Sequence, residues 1–126
     1  MDEQMTLYEA VGGTGFFDRL VDRFYVHVAA RPDLMALYPD PDDLDGARWR
    51  LAMFLTQYWG GPTTYSDQRG HPRLRMRHAP FPIDEMGRDL WLEAMQAALD
   101  DLGVEGEVRV RLWDYFTMAA EAMRNR

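Results

Sequence analysis

The sequence predicts an all-α protein. Apolar residues recur at spacings of three and four in long segments, no segment sustains period-two alternation, and Gly, Pro and capping residues punctuate the periodic runs. A chain of 126 residues fits one domain, spanning 1–126, with a single core built by packing helix on helix.

The elements follow in order. Thr6 and Glu9 form a capping-box pattern ahead of Leu7, Tyr8 and Val11, and Gly12-Gly13 stops that short helix. The next segment places Phe16, Phe17, Leu20, Val21, Phe24, Tyr25 and Val28 on one helical face, and Arg31-Pro32 ends it. Asp33 to Leu37 fits one short turn, because Tyr38-Pro39-Asp40-Pro41 cannot continue a helix. A third segment starts near Asp45, carries Ala47, Leu51, Phe54 (with Leu55) and Tyr58 on one face, and stops at Gly60-Gly61-Pro62. Residues 60–82 show little periodicity beyond one turn at Leu74 to His78. So long an irregular stretch in a compact domain is unusual and often functional. Pro82-Ile83-Asp84 opens a further long helix with Met86, Leu90, Trp91, Met95, Ala98, Leu99 and Leu102 inward, ended by Gly103. The last helix runs from about Glu105, with Val108, Leu112, Tyr115, Phe116, Ala119 and Met123 inward.

Composition narrows the function classes. With 47% apolar and 13% aromatic residues, the chain has aromatic side chains to line a pocket as well as fill a core. The net charge of −7 argues against nucleic acid and anionic membrane surfaces as partners. There is no cysteine, which excludes disulfides, thiolate metal sites and cysteine nucleophiles. The acidic start Met1-Asp2-Glu3-Gln4-Met5 has no apolar signal region, and no apolar run approaches the ~20 residues of a membrane span. A cytoplasmic protein is expected.

Three histidines are available, at 27, 71 and 78. His27 lies off the apolar face of its helix, and His71 precedes Pro72 in a turn. His78 ends the one short turn of the irregular stretch, just before the Trp91 helix. No His pair lies four apart, so a tetrahedral zinc site is not indicated. A single imidazole can hold iron alone only where a macrocycle supplies the other ligands. Around His78, Arg69, Arg73, Arg75 and Arg77 form a basic island, with no acid between Asp67 and Asp84. It is either a solvated loop or an anion site. Tyr25, Tyr58 and Trp91 sit on apolar faces and Tyr38 at a helix end; packing explains such residues as readily as a polar pocket does. No phosphate-loop, GxSxG or HExxH pattern is present, and nothing marks Ser66 as a nucleophile.

Four segments converge on a family: Tyr8-Glu9-Ala10-Val11-Gly12-Gly13, Arg23-Phe24-Tyr25, Met53 to Pro62 (MFLTQYWGGP), and Gly70 to Phe81 (GHPRLRMRHAPF). Over about residues 6–120 the chain resembles a truncated haemoglobin of the second group. The resemblance implies a globin-like two-over-two helical sandwich around haem b, with His78 as the proximal iron ligand. It implies a polar distal pocket of Tyr25, Tyr38 and Trp91. Ala47 would stand where many globins carry a distal histidine, Leu51 would face the haem, and Phe54 would pack against the macrocycle. Arg50, Tyr65 and Arg77 match positions that contact the propionates. The link Tyr38 to Asp43 is one residue longer than the family's usual one, which leaves the register of Tyr38 and Ala47 open.

The activity so implied is reversible binding of O2, CO and NO at a five-coordinate iron. Turnover of nitric oxide or peroxide, or gas sensing, are possible extensions, served by an external reductant. A monomer or weak homodimer is expected. The free ring N–H of His78 is expected to donate to the carbonyl of Leu74. The competing reading is a helical module without cofactor, whose Arg69 to Arg77 island docks an acidic partner or a nucleotide.

Overall fold

The computed structural model describes residues 5–38 and 40–126. Eight α-helices and one 3₁₀ turn are formed among them, with no strand. They are α1 (Leu7–Ala10), α2 (Thr14–Ala29), α3 (Pro32–Met35), the 3₁₀ turn Pro41–Asp43, α4 (Leu44–Tyr58), α5 (Thr64–Arg69), α6 (Leu74–His78), α7 (Glu85–Asp101) and α8 (Gly106–Met123). The chain is all-α, as expected.

Two helical layers result, because α2 packs on both α4 and α7, and α7 packs on α8. The whole predicted apolar face of α2, from Phe16 to Val28, is buried. Phe17, Leu20, Val21 and Phe24 meet Met95, Ala98 and Leu99 of α7 and Leu112 and Phe116 of α8 in one continuous core. Alanines at 94 and 98 let the α7 backbone come close to its neighbours.

The helix α4 departs from the expected face. Of the residues expected inward only Leu55 is buried, beside Ala52 and Thr56, whereas Tyr58 is 49% exposed. Ala47, Leu51 and Phe54 turn instead toward an internal cavity. A helix between core and cavity is apolar on two sides, and periodicity alone does not say which side is the core. Likewise Met86, placed inward by spacing, is 65% exposed.

Local signals set the helix ends. Thr6 Oγ1 accepts from Glu9 N–H at 3.1 Å, the N-terminal half of the predicted capping box. Asp43 and Asp84 cap α4 and α7 by accepting from Gly46 and Gly87 N–H. At the end of α4, Gly60 has φ 107°, and a Cβ there would meet Thr6 at 2.8 Å. A Cβ on Gly61 would stand 2.6 Å from the Tyr8 ring and 2.8 Å from the Thr56 methyl. The glycine pair therefore permits α1 to close against α4, where Tyr8 N–H donates to the Trp59 carbonyl at 3.0 Å.

The stretch 60–82 is more ordered than its sequence suggests. α5 is polar and too short to show periodicity, and α4 defines it from outside: Gln57 accepts from Ser66 N–H at 3.0 Å and donates to Ser66 Oγ at 2.7 Å. The turn at Leu74 to His78 forms as α6.

Candidate functional site

A cavity of about 550 Å³ lies between the helical layers and is predominantly apolar. All ten residues singled out above line it: Tyr25, Tyr38, Ala47, Arg50, Leu51, Phe54, Tyr65, Arg77, His78 and Trp91. Tyr38 and Ala47 are therefore both at the cavity, despite the longer link between them. Phe54 meets the buried Tyr65 ring edge-to-face at 5.8 Å.

His78 ends α6. Its Nδ1–H donates to the Leu74 carbonyl one turn back, at 2.7 Å. A carbonyl can only accept, so this bond fixes the proton on Nδ1 and leaves the Nε2 lone pair of the neutral ring available. The remaining histidines are occupied elsewhere. His27 Nε2 lies 2.7 Å from Asp101 Oδ2 on the outer surface, and His71 Nδ1 accepts from Arg73 N–H at 3.2 Å in the turn before α6. Arg73 has φ 45°, a left-handed conformation that this turn imposes.

Three polar aromatics meet on the cavity wall. The Tyr25 and Tyr38 rings lie 5.8 Å apart edge-to-face. Trp91 lines the same wall and carries an indole N–H that can only donate. Burial pushes the Tyr25 hydroxyl up to about 12, against smaller lowering by the neighbouring Tyr38 and by Arg50 and Arg48. Burial raises Tyr38 well above its ordinary value too. Both hydroxyls therefore keep their protons, and the trio remains a set of donors.

Among the described residues, the charged residues of the wall are Arg50, Arg69, Arg77 and Arg88, and no carboxylate lines the cavity. In a chain of net charge −7, that marks a place suited to an anion. The basic island is divided: Arg69 and Arg77 reach the cavity, whereas Arg73 and Arg75 do not. Arg77 gives Nε to the Pro72 carbonyl at 2.8 Å and Nη2 to that of Arg69 at 3.1 Å, so part of its role is to hold the loop. The Arg69 guanidinium lies 5.9 Å from the centre of the Tyr65 ring. Arg50 pairs loosely with Asp43 at 3.6 Å, and Arg88 with Glu121 and Asp89.

The sequence reading missed Arg88 as a lining residue, along with Leu37, Gly87 and Tyr115, and offered Arg69 only as part of the basic island. Gly87 and Arg88 stand one turn before Trp91 on α7, a spacing that could have found them. A Cβ on Gly87 would meet Leu37 at 2.9 Å, so its glycine allows that segment to approach α7. Leu37 and Tyr115 carried no signal that distinguished them from core residues.

Comparisons with known proteins agree with this architecture. Residues 6–125 match the family model of bacterial-like globins. A group 2 truncated haemoglobin of Bacillus subtilis is 43% identical over 118 residues, covering 94% of this chain and 87% of that one. The crystal structure of a thermostable haemoglobin from Thermobifida fusca is 55% identical and superposes with a TM-score of 0.92 over 96% of this chain and 98% of that one. A structure described as a truncated oxygen-avid haemoglobin from Bacillus subtilis is 42% identical, with a TM-score of 0.89 over 96% and 100% of the two chains. With sequence and fold agreeing over nearly its whole length, the chain belongs to the bacterial-like globins as a group II truncated haemoglobin, a haem-binding two-over-two globin.

Proposed function

We propose that the cavity holds haem b through Nε2 of His78, and that the protein binds O2 and other diatomic gases beneath Trp91, Tyr38 and Tyr25. The single observation that carries this is the His78 imidazole at the cavity wall with Nδ1 already committed to Leu74 O. Such a bond orients an imidazole and raises its basicity as a ligand.

The residues present fit the group. About 550 Å³ is in the range of cofactor pockets, and the apolar wall suits a flat macrocycle. Four arginines without a lining carboxylate suit its two propionates, with Arg50, Arg69 and Arg77 available to them. Leu51 and Phe54 would pack on its face. Haem, when bound, supplies the ferrous centre at which diatomic gases are taken up reversibly.

The chain's own residues do the rest. His78 holds one side, fixed by Leu74. Trp91 and the two tyrosines supply neutral donors that stay protonated because burial raises both hydroxyls. A gas that gains negative charge on binding accepts from them, at roughly 1.5–3 kcal/mol for each charge-assisted bond. Two such bonds would hold it about a hundredfold more tightly, mainly by slowing release. The oxygen-avid relative supports that direction. Slow release suits chemistry on the gas, such as nitric oxide oxidation or peroxide reduction with an external reductant, better than carriage.

Expression with adequate haem tests the reading. A red protein whose Soret band shifts with CO is expected, and His78→Ala should lose the ferrous spectrum while circular dichroism retains its helices. A spectrum unaltered by that substitution overturns the assignment of His78. Steady-state turnover with nitric oxide and with peroxide, given a reductant, then decides between the two chemistries.

A further inference from the structure

The residue two places beyond α8 reaches back to the segment that carries His78. Asn125 Nδ2 donates to the Phe81 carbonyl at 2.8 Å and to the His78 carbonyl itself at 3.3 Å. Its Oδ1 accepts from Ile83 N–H at 2.9 Å. The backbone completes the strap: Asn125 N–H and Arg126 N–H both donate to the Ile83 carbonyl, at 2.9 and 3.1 Å. One side chain thus touches three backbone positions within residues 78–83.

That segment has few other anchors. α6 is five residues long, buries none of them and has no side-chain cap, so it has little stability of its own. Pro80 and Pro82 have no N–H to give. Within the segment, Phe81 N–H donates to the His78 carbonyl at 3.0 Å, which makes that oxygen a junction for two donors. Arg77 holds the N-terminal side of α6 through Pro72 and Arg69; Asn125 holds the C-terminal side.

We propose that Asn125 is a positioning residue for His78: by clamping residues 78–83 to the end of α8, it fixes the height and tilt of the imidazole at the cavity. The proposal rests on His78 being the iron ligand. Each bond alone is exposed to water and weak, but all converge on one short segment and restrain it jointly. An asparagine is required because it both donates and accepts. Aspartate keeps the acceptor toward Ile83 and loses both donors, and alanine loses all three side-chain bonds.

Two kinds of measurement test this on the full chain. Amide exchange without haem reads the clamp itself. The Ile83 amide should exchange faster in Asn125→Ala and remain protected in Asn125→Asp. With haem bound, resonance Raman reads the iron–histidine stretch and transfer to a high-affinity acceptor protein reads retention. Both variants should shift the stretch, and Asn125→Ala should lose haem up to about tenfold faster, as expected for several weak bonds lost together. Unchanged Ile83 exchange in Asn125→Ala overturns the clamp. Faster exchange with an unmoved stretch overturns the positioning role and leaves a purely structural tie. A spectrum that survives His78→Ala would instead remove the premise, and the exchange result would stand apart from it.

Discussion

Trp91, Tyr38 and Tyr25 illustrate how a side chain's role depends on its neighbours. Each is an amphipathic aromatic that would be ordinary in a core. Gathered at a cavity wall, they present donors, and burial keeps both tyrosine hydroxyls protonated. With haem bound, Trp91→Phe and Tyr25→Phe should each speed O2 release roughly tenfold in stopped-flow experiments, as expected for one lost donor. Identical release from both variants and the parent would count against the donor role. With Tyr25 pushed up to about 12, release should also be flat between about pH 6 and about pH 9 as far as these hydroxyls govern it. Trp91 was legible in the sequence as an inward residue of its helix, but its sharing a cavity wall with Tyr38 was not, since the two are brought together by the packing of α3 against α7.

Among the elements, the long helices were written plainly and the short ones were not. α2 and α7 carry long apolar stripes, and α7 has a side-chain cap in Asp84. Asp84 accepts from Gly87 N–H at 2.8 Å, so Asp84→Ala should lower stability by about 1 kcal/mol in urea unfolding, with little change in the denaturant slope. The same cap begins the turn that places Gly87 and Arg88 at the cavity, so haem retention should weaken alongside. α5 had no readable signal because Gln57, seven residues before its start, supplies its organising bonds. α6 was readable as a turn, but nothing in its five residues announces the tie to Asn125.

At the level of the whole molecule, charge holds the outer ends of helices that the core joins. Asp101, at the end of α7, meets Arg23 and His27 of α2 at 3.0 and 2.7 Å. The His27 bond, with that of Arg23 second, lowers its carboxyl below the ordinary 3.8. The folded state therefore favours the charged form. The resulting stabilisation is complete above the unfolded value and is lost as pH falls through the lower folded value. The stability difference between the parent and Asp101→Asn should shrink as pH falls below 3.8. A difference that grows below that pH would reject this linkage. The pair is exposed to solvent, so added salt should diminish it.

The sequence by itself determined the helical class, the long helices, the Thr6 cap of α1 and, through the motif around His78, the family. Those features are local or nearly so: a 3.6-residue period, a capping side chain and a proline act within a few residues of themselves. Tertiary structure alone decided which apolar face of α4 meets the core and which meets the cavity. It also decided that Arg69 and Arg88 join the wall, and that Asn125 ties down the histidine segment. These depend on backbones distant in sequence coming within bonding range, and a one-dimensional pattern of apolar and polar residues does not encode that distance.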